Sequence, residues 1–302
     1  MSADAPDVRA GARGLRQASA VTQAVPGERP GPGRGPARKD ADSTRAEGRV
    51  GLWQVTALRV GAGILLLAIW QAGAKLFAPS YIATPVGAIG AIPGVLGDSS
   101  FWGSTSATLL AIVEGLAIAV LVGTVIGLAM GRLPDLNRVL GMYVGAFYAI
   151  PLIAIVPLVT VWFGYTPQTR LVMIVLEAVL PIIYNVAEGS RQVSAVYLDV
   201  TRIHHVPWWR VWGGVVFPNA TPYVLAGVDL AIGRAVIGAV VAEFVTAING
   251  LGYYIIFNVR SFHENQGVVA LVVIVIFALV VRALVNLTVA RVMPWYRPAK
   301  EA

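Results

Sequence analysis

Cysteine is absent from the 302 residues. That excludes disulfides, thiolate metal sites and cysteine nucleophiles, and says little about compartment. Lysine is nearly absent too: Lys39, Lys75 and Lys300 are the only three, and none stands in a G-x-x-x-x-G-K-[ST] phosphate loop. The chain therefore lacks the Walker machinery for binding and hydrolysing ATP. H-E-x-x-H and G-x-S-x-G are also missing, which removes the usual zinc-peptidase and serine-hydrolase arrangements. His263 and Glu264 read as solvated surface rather than a metal site, no catalytic residue is assigned, and the chain is expected not to be an enzyme. Charge is scarce throughout, at 13% of residues against about 25% in a soluble domain.

What is present is apolar, 57% of the chain. Six spans are expected, at roughly 57–77, 105–130, 138–163, 169–187, 219–244 and 267–290, each near the ~20 residues a helix needs to cross a bilayer. Strand alternation is lacking, so the expected fold is an all-α polytopic membrane protein. Pro151 and Pro157 are expected to kink the third span. The tail over 1–52 is rich in Pro, Gly, Ala and Arg and too poor in large apolar residues to offset its chain entropy, so it is expected to be disordered. It has no apolar h-region within the first thirty residues and is not read as a signal peptide. A first transmembrane helix over 53–78, an outer segment over 79–104, a membrane core over 105–293 and a short tail over 294–302 complete the expected organisation.

The formal charge of +7 is read as membrane orientation, not as nucleic-acid binding. Nine Lys and Arg lie in the N-terminal tail, and Arg132, Arg138, Arg191, Arg202, Arg210, Arg291, Arg297 and Lys300 fall on the same face of a six-span topology. Only Lys75, Arg170 and Arg260 are assigned to the other face. The positive-inside rule puts both termini in the cytoplasm. Short helices are expected on the outer face within 78–104 and after the Gly turn of "NGLGYYI". Five ionisable residues are picked out within spans: Glu114, Glu177, Asp229, Arg234 and Arg282. Each costs about 2.5–3.5 kcal/mol at a helix centre, so each should face protein or a watery path. Asp229 and Arg234 are five residues apart on one span, a poor spacing for a pair, so their partners are expected on other helices. Two roles stay open for these charges, pairing between helices and lining a path.

The stretch "YLDVTRIHHVPWWRVWGGVVFPNATP", Tyr197 to Pro222, interrupts the apolar pattern. Tyr197 to His205 can form a short amphipathic helix. Pro207 suits the first turn of a second short helix, which Trp208, Trp209 and Trp212 give an aromatic face. Pro218 and Pro222 are expected to break the chain before the fifth span. Exposed Trp beside Arg serves as a protein anchor or as an interfacial belt. The stretch resembles the cytoplasmic loop of permease subunits of binding-protein-dependent ABC importers, whose pattern is Glu-Ala-Ala, three residues, Gly, and later Leu-Pro-x-Ala-x-Pro. Asp199, Val200 and Thr201 stand at the acid and the two alanines, His205 at the Gly, and "FPNATP" (Phe217 to Pro222) at the proline run. "AGVDLAIGRAVIGAVVAE", "IATPVGAIGAI", "IPLIAIVPLVTVWFG" and "NGLGYYI" resemble the nitrate, sulfonate and taurine branch, and the likeness covers about residues 80–295.

The resemblance implies the type I importer permease fold in a prokaryotic cell membrane, forming the translocation path for a small solute, an anion such as a sulfonate, taurine or nitrate. It implies a coupling loop made by Asp199, Val200, Thr201, Arg202, His204, His205, Pro207, Trp208, Trp209 and Arg210. That loop would dock on a separate cytoplasmic ATPase, present in two copies, which uses ATP-Mg while this chain binds no cofactor. A second permease copy and an extracytoplasmic solute-binding protein complete the implied assembly. The same fold importing a thiamine or riboflavin precursor is the alternative. A self-contained channel or proton-coupled carrier is a third reading, opposed by the lack of visible inverted repeats. Glu114, Glu177, Asp229, Arg234 and Arg282 are the path candidates. His205 departs most from the family pattern, because His tolerates positive φ less well than Gly. Either the turn survives with some strain or the two helices meet differently.

Overall fold

A computed structural model describes residues 52–77 and 82–292 of the chain. The chain divides into two units, Met1–Arg59 and Val60–Ala302, and the packed helices belong to the second. The tails expected at 1–52 and 294–302 lie, Leu52 apart, outside the described residues.

Helix α1 runs Leu52–Phe77, α2 Pro85–Gly97, α3 Ser99–Arg132 and α4 Pro134–Ala149. A 3-10 turn, Leu152–Ile155, leads into α5 (Val156–Phe163), followed by α6 (Pro167–Arg191) and α7 (Ala195–Ile203). Helix α8 is continuous over 39 residues, Trp208–Thr246, with a π-helical segment at Trp212–Val216. Helices α9 (Leu251–Arg260) and α10 (Glu264–Val292) follow. Among the described residues there is no strand. Among the described residues five helices are long and apolar enough to cross a membrane, and six if α4 and α5 form one bent span. The all-α polytopic fold is as the sequence indicated.

The prolines act differently from expectation. Helices α4 and α5 meet at 92°, a break rather than a kink. Pro151 causes it by forcing Ile150 into an extended conformation, φ −78° and ψ 128°. Pro157 does not kink the span, because it sits in the first turn of α5, where a missing N–H has no partner to lose. Pro218 and Pro222 do not break the chain. The widened π turn just before Pro218 takes up the ring. Asn219 Nδ2 donates to the Val215 carbonyl at 2.7 Å and Thr221 Oγ1 to that of Phe217 at 2.8 Å, so both side chains bond back to the helix they sit on. The second helix of the polar loop is therefore the start of the fifth span, not a separate short helix.

Helix α6 packs between α3 and α8. Ile174, Ile182 and Val186 on α6 are fully buried. Opposite them α3 presents Gly115, Ala119, Gly123, Gly127 and Gly131, spaced by four and so stacked on one face. A Cβ on Gly123 would lie 2.8 Å from Ile182 Cγ2, and one on Gly127 2.7 Å from Val186 Cβ. Close backbone approach gives dispersion contact, the main source of helix association where lipid is as apolar as leucine. Helix α8 does the same with Gly238, whose Cβ would meet the Met173 carbonyl at 2.8 Å.

The ends of α3 and α6, helix α7 and the start of α8 share one end of the bundle, the loop end. Helices α2 and α9 lie at the far end, as the sequence indicated for its two short helices. There Val95, Phe101, Leu251, Tyr254 and Ile274 form an apolar cluster. Thr84 caps α2, accepting from the Gly87 amide at 3.0 Å, and its own amide donates to Asn265 Oδ1 at 3.0 Å. Asp98 caps α3 through the hydroxyl and amide of Ser100, at 2.7 and 2.8 Å. Those bonds hold its carboxyl below the usual range. Burial, and then the charge of Asp98, push the Tyr254 phenol up.

Candidate functional site

The loop end turns on His205. Its amide donates to the Arg202 carbonyl at 3.1 Å, and the next amide, Val206, donates to Thr201 at 2.9 Å. These are the two bonds of a Schellman cap, which requires a left-handed residue between them. His205 supplies it with φ +50°. Of the two outcomes left open by the sequence, the turn survives, with a non-glycine residue in the left-handed region. Pro207, extended at φ −61° and ψ 143°, then starts α8.

The corner presents an apolar and aromatic surface. Val196, Val200 and Ile203 on α7 are exposed together, spaced to share one helix face. Trp208 is 75% exposed and Trp209 55%, and the Arg210 guanidinium lies 4.8 Å from the Trp209 ring centre. Asp199 accepts from Arg202 at 3.0 Å, an exposed pair within one helix, and His204 is exposed beside them. Thr201 and Trp212 turn inward instead, lining a groove of about 540 Å³ with Arg132, Leu198 and Val206. The ten loop residues are thus brought to one corner, but they do not all face outward.

The intramembrane charges pair across helices, as their spacing indicated. Arg282 Nη2 on α10 donates to Asp229 Oδ2 on α8 at 2.7 Å, with Nε 2.6 Å from Oδ1. Arg234 Nη1 on α8 reaches Glu177 Oε2 on α6 at 3.4 Å. Glu114 has no hydrogen-bond or ion-pair partner among the described residues and stands on the exposed face of α3, between Leu110, Val113 and Ile118. The structure does not bring these five residues to one place.

A third pair is not anticipated by the sequence. Glu243 is fully buried near the far end of α8 and accepts from Thr108 Oγ1 at 2.7 Å, the Gly252 amide at 2.6 Å and Arg170 Nη1 at 3.0 Å. Arg170 also donates to the Asn249 carbonyl at 2.9 Å. The glycines of "NGLGYYI" are explained here. A Cβ on Gly252 would lie 2.9 Å from Glu243 Cβ, and one on Gly250 would collide with the carboxylate. By sequence Arg170 falls in an outer loop and Glu243 at the rim of a span. A charge in the last turn of an apolar run is the available signal.

A bundle of apolar helices with charges paired across them and an aromatic corner at one end defines a polytopic membrane protein. The family described as binding-protein-dependent transport system inner membrane component matches residues 119–298, more than half of the chain, and the chain belongs to that family. It is 28% identical to the putative aliphatic sulfonates transport permease protein SsuC of Bacillus subtilis, over 72% of this chain and 78% of the relative. It is 26% identical to the taurine transport system permease protein TauC of Escherichia coli, over 84% of this chain and 95% of the relative. A bicarbonate transport system permease protein, CmpB of Synechococcus elongatus, is 32% identical over 54% of this chain and 58% of its own length. The chain is the permease subunit of an importer, and its family implies an ATPase and a solute-binding protein as partners.

Proposed function

We propose that two copies of this chain form the path by which a small anion enters the cell, with two ATPases docked at the loop end. That end, and with it both termini, faces the cytoplasm, and the solute-binding protein docks at the far end. ATP-Mg is used by the ATPases, and this chain binds no cofactor and is not an enzyme. The names of the relatives, for sulfonates, taurine and bicarbonate, support an anion.

The observation that carries the reading is the join between corner and span. The exposed face of Val196, Val200, Ile203, Trp208 and Trp209 is continuous with α8, and α8 reaches the far-end cluster without a break. A partner that moves the corner moves the span as a rigid body, which is what switching between inward and outward states requires. The test is purification of the tagged chain from its own membranes. An ATPase with a phosphate loop should accompany the native chain and be lost from Trp208→Ala and Trp209→Ala, with membrane insertion unchanged. A native chain that comes out alone and moves solute without ATP would overturn the proposal.

A further inference from the structure

Among the described residues three arginines form ion pairs across helices, and they are not alike. Arg282 Nη2 donates to Asp229 Oδ2 at 2.7 Å, with Nε 2.6 Å from Oδ1. Arg170 is buried and reaches both Glu243 and the Asn249 carbonyl. Arg234 meets Glu177 through one nitrogen at 3.4 Å, and its side chain is 47% exposed against 7% for Glu177. The rest of its guanidinium fork has no acceptor among the described residues.

The polar groups around Arg234 lie inside the span. Arg234 lies about 18 Å of helix from Thr246 at the far end and farther from the loop end, so it sits deep within the span. Its guanidinium stands 5.6 Å from the centre of the Tyr148 ring. Arg234, Glu177 and Tyr148 line a narrow cleft of about 10 Å³, and on the other side of Tyr148 a separate cavity of about 380 Å³ is lined by Tyr148, Tyr184, Val144 and Gly145, the two tyrosine ring centres 6.5 Å apart. Neither phenol hydroxyl has a hydrogen-bond partner among the described residues, and both rings are exposed. An open guanidinium and two open hydroxyls are costly against hydrocarbon. Beside them the helix breaks at Ile150, and interrupted helices within a membrane are tolerated where they line a cavity.

We propose that Arg234, Tyr148 and Tyr184 form an oxyanion-binding station within the membrane path, selecting solutes that carry a sulfonate, carboxylate or similar group. The free guanidinium fork matches two oxygens of such a group. The tyrosine faces take its small organic body, and Gly145 leaves room, because a Cβ there would meet nothing within 4 Å. Glu177 is the resident counter-charge that an arriving anion displaces. The inference rests on the importer reading for the direction of movement but not for binding.

The test uses the full chain in lipid nanodiscs, titrated calorimetrically with methanesulfonate and with its neutral near-isostere dimethyl sulfone. The native chain should bind methanesulfonate, and dimethyl sulfone at least about tenfold more weakly. Arg234→Gln should weaken methanesulfonate by about tenfold or more, while Glu177→Gln, which removes the competing carboxylate, should bind as tightly as the native chain or tighter. A purely structural pair would make both variants lose alike, and that result overturns the proposal. So does unchanged binding in Arg234→Gln, or no binding by the native chain. Recruitment of the ATPase by native chain and variants is scored separately, so its failure would sink the importer reading while the binding result stands.

Discussion

At the scale of single residues, two positions carry measurable cost. His205 holds a conformation that favours glycine, and the left-handed region costs an L-residue about 1–2 kcal/mol. His205→Gly should therefore strengthen the cap, seen as slower hydrogen exchange at the Val206 amide. Faster exchange would show that the imidazole makes a compensating contact. Glu243 is the opposite case. Glu243→Ala leaves Arg170 buried without its counter-charge and strips the Gly252 amide and Thr108 hydroxyl of their acceptor. The expected loss is about 3–5 kcal/mol, read as thermal unfolding in detergent, with Glu243→Gln between Ala and native because its carbonyl still accepts. Equal stability of Ala and native would show that water replaces the carboxylate. Asp98 supports folding in the same sense but outside the spans. Its lowered pKa gives a contribution present above the ordinary carboxylate range and lost only as acid carries pH down through the folded value.

At the scale of elements, the α3–α6 seam depends on missing side chains. A Cβ at Gly127 would approach the Ile183 carbonyl at 2.9 Å as well as Val186, and neither backbone can yield without parting the helices. Gly127→Val should cost about 1–3 kcal/mol or more by overpacking. Gly103→Ala on the same helix, where nothing lies within 4 Å, should be neutral or stabilising. Unfolding of the two variants in one detergent separates the cases, and equal loss would show that the seam does not hold the helices together. The elements themselves were legible because apolar length and polar caps are local. The consequences of the prolines were not. Pro151, Pro157, Pro218 and Pro222 all offer the same missing amide, and only what precedes each decides between a break, a helix start and a continuous helix. At Pro218 that was a π turn at Trp212–Val216, which has no sequence period of its own.

At the scale of the whole molecule, the aromatic corner leads into α8, which is continuous over 39 residues. Trp208→Ala or Asp199→Ala should leave the fold intact, since Trp208 is 75% exposed and Asp199 makes only a surface pair with Arg202. In a reconstituted system with the ATPase and binding protein, hydrolysis should continue while uptake falls. Normal uptake by both variants would remove the loop from the mechanism. The corner was legible in the sequence because its residues are consecutive. The charged interior was only half legible. Glu177, Asp229, Arg234 and Arg282 stood out as charges in apolar runs, but Tyr148 and Tyr184 look like any aromatic residue of a membrane helix until packing brings Tyr148 beside Arg234 and Tyr184 beside Tyr148.

The sequence by itself determined that this chain spans a membrane, holds no G-x-x-x-x-G-K-[ST] phosphate loop in its 302 residues and displays a polar aromatic loop between two spans. Those properties follow from composition and from order along the chain, which need no knowledge of neighbours. The tertiary structure alone decided which charges meet and which guanidinium stays open. An ion pair between Arg234 and Glu177 joins residues 57 positions apart, and no local period encodes that separation. Both helices must first pack through their glycines and small side chains before the charges come within reach.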